Sequence, residues 1–134
     1  MEAGQALQTA MRAALLAHAP LVTALGGAHV FDEVPRGAKE PYAAFANIET
    51  RDWSVKDAKA HEHFITIEIA TARRTRADAQ SIVGLIETVL DNATLSLTGH
   101  VLVNLRMVFW TVGKQRNSEN FGATIRFRAA TEPL

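Results

Sequence analysis

The stretch AHEHFITIEIATA, residues 60–72, constrains this chain more than any other. Isoleucine stands at 65, 67 and 69, while Glu62, Thr66 and Glu68 share the alternate positions. A period of two residues with one apolar side is the pattern of a β-strand that buries one face. Such a strand needs neighbours to pair its backbone and an apolar layer to cover its isoleucines. The rest of the chain contains candidates for both.

Tyr42 to Trp53 alternates as well. Tyr42, Ala44, Ala46 and Ile48 fall on one face, and Phe45, Asn47, Glu49 and Arg51 on the other. Residues 52–60, DWSVKDAKA, are polar and read as the hairpin loop joining this strand to the isoleucine strand. After Gly99, Val101, Val103, Leu105, Met107 and Phe109 alternate with Asn104 and Arg106. Phe121, Ala123, Ile125 and Phe127 alternate with Thr124, Arg126 and Arg128, and GKQRNSEN forms the second polar hairpin loop.

The covering layer comes from two stretches of helical period. Ala6, Leu7, Ala10, Met11, Ala14 and Leu15 make an apolar stripe over residues 2–18. Pro20 reads as a stop, and Gly26–Gly27 as a turn after the apolar run Leu21 to Leu25. Ala79, Ile82, Val83, Ile86, Val89 and Leu90 make a second stripe over 75–91, with Thr75 as N-cap and Asp78 completing a capping box. A short strand is expected in HVFDEVPRGAKEPY. The predicted fold is therefore a single α+β domain over residues 1–134, in the order α-β-β-β-α-β-β. Two helices pack on one face of a mainly antiparallel sheet of four long strands plus a short one.

The other sheet face then presents Glu49, Arg51, Glu62, Glu68, Arg106, Arg126 and Arg128, with Phe45, Phe64 and Trp110 in phase among them. A mixed-charge, partly aromatic face of this kind is a contact surface. It is equally a set of cross-strand ion pairs in water, each worth under about 1 kcal/mol. The sequence leaves both readings open.

Chemistry finds less support. The chain has no cysteine, which excludes thiolate metal sites, disulfides and cysteine nucleophiles. His61 and His63 point the same way on a strand and resemble half of a zinc site, but no HExxH or DxD set backs them. A small metal-dependent hydrolase using His61, Glu62 and His63 is one alternative, and a monomeric binding module using the open face is another. No serine lies in a Gly-x-Ser-x-Gly elbow, and no glycine loop is built to cradle phosphate. No cofactor is expected.

Fourteen Lys and Arg balance fourteen Asp and Glu, which argues against a dedicated nucleic-acid binder. The balance is uneven, however: residues 1–70 carry six basic and nine acidic side chains, and residues 71–134 eight and five. A charge-split chain can pair head to tail with its own copies. Arg73, Arg74 and Arg76 lie where positive charge opposes a helix dipole, which reads either as a solvated cluster or as a site for an acidic partner, with Asp32 and Glu33 as candidates in the same or a neighbouring copy. Trp53 projects into a charged loop, as a contact anchor or folded back on the sheet. The start of the chain lacks the marks of a signal peptide, and the apolar runs are too short for a membrane span. The chain reads as a soluble intracellular product.

Five ordered stretches, MRAALLAHAPLVTALGGAHVFDEVPRGAKEPY, RDWSVK, EHFITIEI, LTGHVLVNLR and IRFRAATE, resemble the tail terminator (tail completion) proteins of long-tailed phages and gene transfer agents. The first is the most specific, running from a helix through a Gly-Gly turn and an aromatic–Asp pair to Val-Pro and Pro-Tyr. Where family sequences often carry an Asp-Gly turn in the last hairpin and a tryptophan near position 72, this chain has NSENFG and ATAR.

The resemblance implies a non-catalytic virion protein, assembled in the host cytoplasm and placed at the tail–neck junction. It implies a ring, usually a hexamer, that caps the tail tube, stops its growth and joins the head-side neck (stopper) protein, with double-stranded DNA passing through. Subunit or tube contacts then fall to Asp32, Glu33, Trp53, Lys56, Arg73, Arg74, Arg76, Lys114 and Arg116. Channel-facing positions fall to Glu49, Arg51, Glu62, Glu68, Arg106, Arg126 and Arg128.

Overall fold

The computed structural model describes all 134 residues. In chain order the elements are α1 (Ala3–Leu16), α2 (Ala19–Leu25), β1 (Val30–Phe31), β2 (Tyr42–Asp52), β3 (His61–Ala70), α3 (Arg76–Leu90), β4 (Ser96–Leu97), β5 (His100–Lys114) and β6 (Phe121–Pro133). One six-stranded sheet runs β1-β2-β3-β6-β5-β4. The isoleucine strand β3 is interior, paired antiparallel to β2 and β6. The sheet is mixed, because β1 lies parallel to β2 while the remaining pairings are antiparallel.

The structure corrects the expected two helices to three. Pro20, read as a stop, occupies the first turn of α2, where a missing N–H leaves no bond unmade. Gly26 ends that helix at φ 76°, a left-handed conformation that glycine adopts without strain. The expected capping box at α3 does not form: Thr75 holds the N-cap position in extended backbone, but its side chain makes no cap bond. Asp78 instead pairs with Arg73 at 3.3 Å. Helix α1 is capped by Glu2, whose carboxylate accepts from the N–H groups of Gly4 (2.8 Å) and Gln5 (3.0 Å). Strand β4, absent from the sequence reading, is a two-residue hairpin arm turning on Gly99 at φ 77°.

The helices bury the expected stripes. Leu7, Met11 and Leu15 of α1, Leu21 and Leu25 of α2, and Ile86 and Leu90 of α3 are fully enclosed with Ile65, Ile67, Leu105, Ile125 and Phe127 of the sheet. Each such side chain contributes about 1.5–3 kcal/mol by leaving water. This layer claims one side of the sheet and leaves the other open.

Bulges decide which residues reach which side. The registers skip Ala46 in β2, and Val103 and Val108 in β5. An extra residue reverses the alternation beyond it. Phe45, expected on the open face, is therefore buried in the core, and Ala44 shares the open row with Glu68. Likewise Trp110 stands opposite core residue Ile125 on the helix side, and Phe109 takes the open face opposite Arg126.

Candidate assembly surface

Cross-strand neighbours on the open face fall into ordered rows. Arg51, Glu62, Ala130 and Asn104 stand level; next come Glu49, Phe64, Arg128 and Arg106, then Asn47, Thr66, Arg126 and Phe109. A last row sets Ala44, Glu68, Thr124 and Thr111 side by side. Of the expected open-face residues, Glu49, Arg51, Glu62, Glu68, Arg126 and Arg128 lie together in these rows. Arg106 is in phase with them, but its guanidinium reaches round the edge of β5 to Asp91 at 3.1 Å.

The arginines are held in place. Arg128 Nε donates to Glu62 Oε2 at 2.7 Å, and the same guanidinium lies 5.0 Å over the ring of Trp53. Trp53 thus folds back over the sheet while staying half exposed. Phe64 is stacked from both sides, by Arg51 at 5.6 Å and Arg126 at 4.9 Å. Planar guanidinium stacking of this kind immobilises positive charge on the face of the sheet. The face is a wall of alternating charge and aromatic rings rather than a cleft.

The two hairpins leave the sheet at opposite ends. His61 pairs with Thr131 at one end of the β3–β6 ladder, and Ala70 with Gly122 at the other. Trp53 and exposed Lys56 therefore mark one end, and Lys114 and Arg116 the opposite one; Lys114 pairs with Glu119 across its own turn at 3.3 Å. Near the second end, small residues Ala44, Ala70, Gly113 and Gly122 floor a shallow trough rimmed by Glu68 and Arg116. Gly122 is required there, since a Cβ would stand 2.5 Å from the Ile69 carbonyl oxygen.

The remaining expected contacts lie apart from one another. Asp32 accepts a hydrogen bond from Gln8 Nε2 at 3.0 Å beside β1, and Glu33 follows it in solvent. Arg73, Arg74 and Arg76 lie beyond the sheet at the start of α3, and Arg76 stacks 5.0 Å over Phe121. Arg73 finds its carboxylate in Asp78, so the intrachain pairing of the Arg cluster with Asp32 and Glu33 does not occur.

The histidines of the opening stretch differ from one another. His63 is fully buried on the helix side, with Nδ1 2.9 Å from Thr50 Oγ1 and Nε2 2.8 Å from Thr131 Oγ1. Burial depresses its pKa, with nearby His61 adding to the effect. With both ring nitrogens engaged, His63 has none to offer a metal, and no three His, Asp or Glu side chains converge as a ligand set. It is a core residue satisfied by two hydroxyls, which sequence alternation signals only by its phase with Ile65.

The result is a layered α+β domain with a charged wall on its open face and a hairpin at each end. The family model of tail completion protein gp17 matches residues 9–132, and this chain belongs to that family of virion structural proteins. The chain is also similar to a chain in a structure of the virion of a native gene transfer agent particle, at 26% identity. That match has a TM-score of 0.88 and covers 98% of this chain and 99% of the other. The gp17 protein of bacteriophage SPP1 shares the fold at 20% identity and a TM-score of 0.65, covering 95% of this chain and 89% of that one. No curated protein sequence matches.

Proposed function

We propose that the chain is a non-catalytic tail terminator. Copies close into a ring, six in number by analogy with the family, that caps the tail tube, ends its elongation and presents a joining surface to the head-side neck protein. The observation that carries this reading is the likeness, over almost the whole of both chains, to a component of a gene transfer agent virion. The opposed hairpins suit it: the turn with Trp53 and Lys56 and the turn with Lys114 and Arg116 supply two unlike ends, one for the tube and one for the neck.

The open face is assigned to the DNA channel. There Arg51, Arg126 and Arg128 are offset by Glu49, Glu62 and Glu68, and all three arginines are committed to aromatic rings. A wall that neutralised many phosphates would bind the backbone tightly and resist its release. A near-balanced wall lets DNA pass without sequence preference. Electron microscopy of particles lacking this product tests the assignment: overlong tails, or tails unattached to heads, are expected. Normal tails joined to heads would overturn it.

A further inference from the structure

The two lateral edges of the sheet differ in profile. On one side β1 covers β2 at Ala43 and Ala44, leaving the outer edge of β2 bare from Phe45 to Asp52. On the other side β4 covers β5 at His100 and Val101. The segment after α3 then covers the next part of β5, through Asn92 N–H to the Leu105 carbonyl (2.8 Å) and Met107 N–H to Asp91 Oδ1 (2.9 Å). Beyond Met107 the outer edge of β5 is bare to Lys114.

The registers bring these features to known levels. Thr111 of β5 stands level with Ala44 of β2, which is the partner of Phe31 in β1. The bare half of β5 is therefore level with β1, and the bare half of β2 with β4 and the Asp91 segment. Each edge is recessed where the opposite edge is raised.

The chemistry of recess and projection is also complementary. Along the recess, Val108, Phe109 and Trp110 are exposed in succession at 50%, 52% and 52%. Trp110 shares a groove with Arg76 and Gln80 of α3. The projecting edge ends in Phe31, Asp32, Glu33 and Val34, with Val34 46% exposed. Asp32 and Glu33 leave β1 at the level of Phe109 and Trp110. Arg74 and Arg76 have no carboxylate in ion-pair reach. Long bare apolar edges are otherwise blunted in soluble domains, because they recruit other strands.

We propose that the recess beside β5 receives the β1 edge of a second copy of this chain. Phe31–Val34 lies along Val108–Val112, with Asp32 and Glu33 facing Arg74 and Arg76. The strands meet antiparallel, since β5 runs opposite to β2 and β1, and a neighbour in a ring keeps the same axial direction. Because the two surfaces are different, the contact is head to tail and closes only by rotation. It rests on the ring reading above and names the surfaces that build the ring.

A chain free of cysteine makes the test direct. Glu33→Cys and Gln80→Cys are placed together in the full chain, at positions on opposite edges of one copy, so a disulfide between them joins two copies. Light scattering and electron microscopy, with and without tail tubes, report assembly; mild oxidation and non-reducing gels report the bond. A ladder of cross-linked copies is expected, with none from the control pair Glu33→Cys and Glu68→Cys. Assembled rings without the ladder overturn the docking geometry and leave the ring reading intact. A chain that stays monomeric with tubes present overturns the ring reading, and the docking with it. In parallel, E33R and R76E should each weaken assembly at least tenfold, and an equal mixture of the two should recover it. Failure of the mixture to recover counts against the charge pairing.

Discussion

His63 Nε2 lies 2.8 Å from Thr131 Oγ1 between adjacent strands, in a site with no solvent exposure at either residue. Because burial lowers the His63 pKa from 6.5 in the folded chain, the unfolded chain binds the proton first as pH falls. The stability tied to the neutral ring is complete above pH 6.5 and is lost as pH drops from there toward the folded pKa. Urea unfolding at pH 7.5 and 5.5 should show the loss, and His63→Gln should flatten the slope in that window. An unchanged slope would remove His63 as its cause. Glu2 and Asp91, whose carboxyls are lowered chiefly by backbone N–H bonds from Gly4 and Met107, add a second loss below their ordinary values of 4.5 and 3.8.

Thr131→Val strips one partner from that ring while keeping its shape. A buried ring nitrogen without a partner costs about 1–3 kcal/mol, readable in the midpoint of denaturant unfolding.

Gly122 and Gly113 are paired neighbours with opposite tolerance. Gly122→Ala forces its new methyl against the Ile69 carbonyl and should destabilise by about 1–3 kcal/mol. Gly113→Ala meets nothing within 4 Å and should stay within about 0.5 kcal/mol of the parent. Equal effects in thermal melts would refute the distinction.

Ile67→Ala opens a cavity at the centre of the sheet, where the side chain is fully enclosed. A loss of about 2–5 kcal/mol is expected on urea unfolding.

The open face makes a prediction about DNA. In assembled rings, the pair E49K and E68K should raise affinity for duplex DNA at least tenfold at low salt and steepen its salt dependence. Both positions are exposed, so melting temperature should hold. Indifference of DNA binding to these changes would count against a channel lined by this face.

Much of the fold was legible because period and burial coincide. The isoleucines of β3 and the stripes of α1 and α3 face the core as their spacing requires. What was not legible has a common cause. A bulge is set by backbone pairing, and neither Ala46 nor Val108 differs in residue type from its neighbours in any way that marks it as extra. Strict alternation therefore puts Phe45 and Trp110 on the wrong side. Pro20 is ambiguous because proline marks both the end of one helix and the first turn of the next. The surface was legible in part: the charged residues were found by phase, but the stacking of Arg51, Arg126 and Arg128 on Phe64 and Trp53 depends on distances between strands. The burial of His63 under Thr50 and Thr131 depends on them too.

The hairpins at opposite ends of β3 have a consequence for how such a chain can change. Residues 53–60 and 115–120 are separated by the length of the sheet and share no side-chain contact. Substitutions in one turn leave the other's geometry untouched, so recognition at the two ends can diversify independently. If the two ends meet tube and neck as proposed, a lineage that exchanged its tube could keep its neck, with the sheet acting as a spacer between two separately evolving addresses.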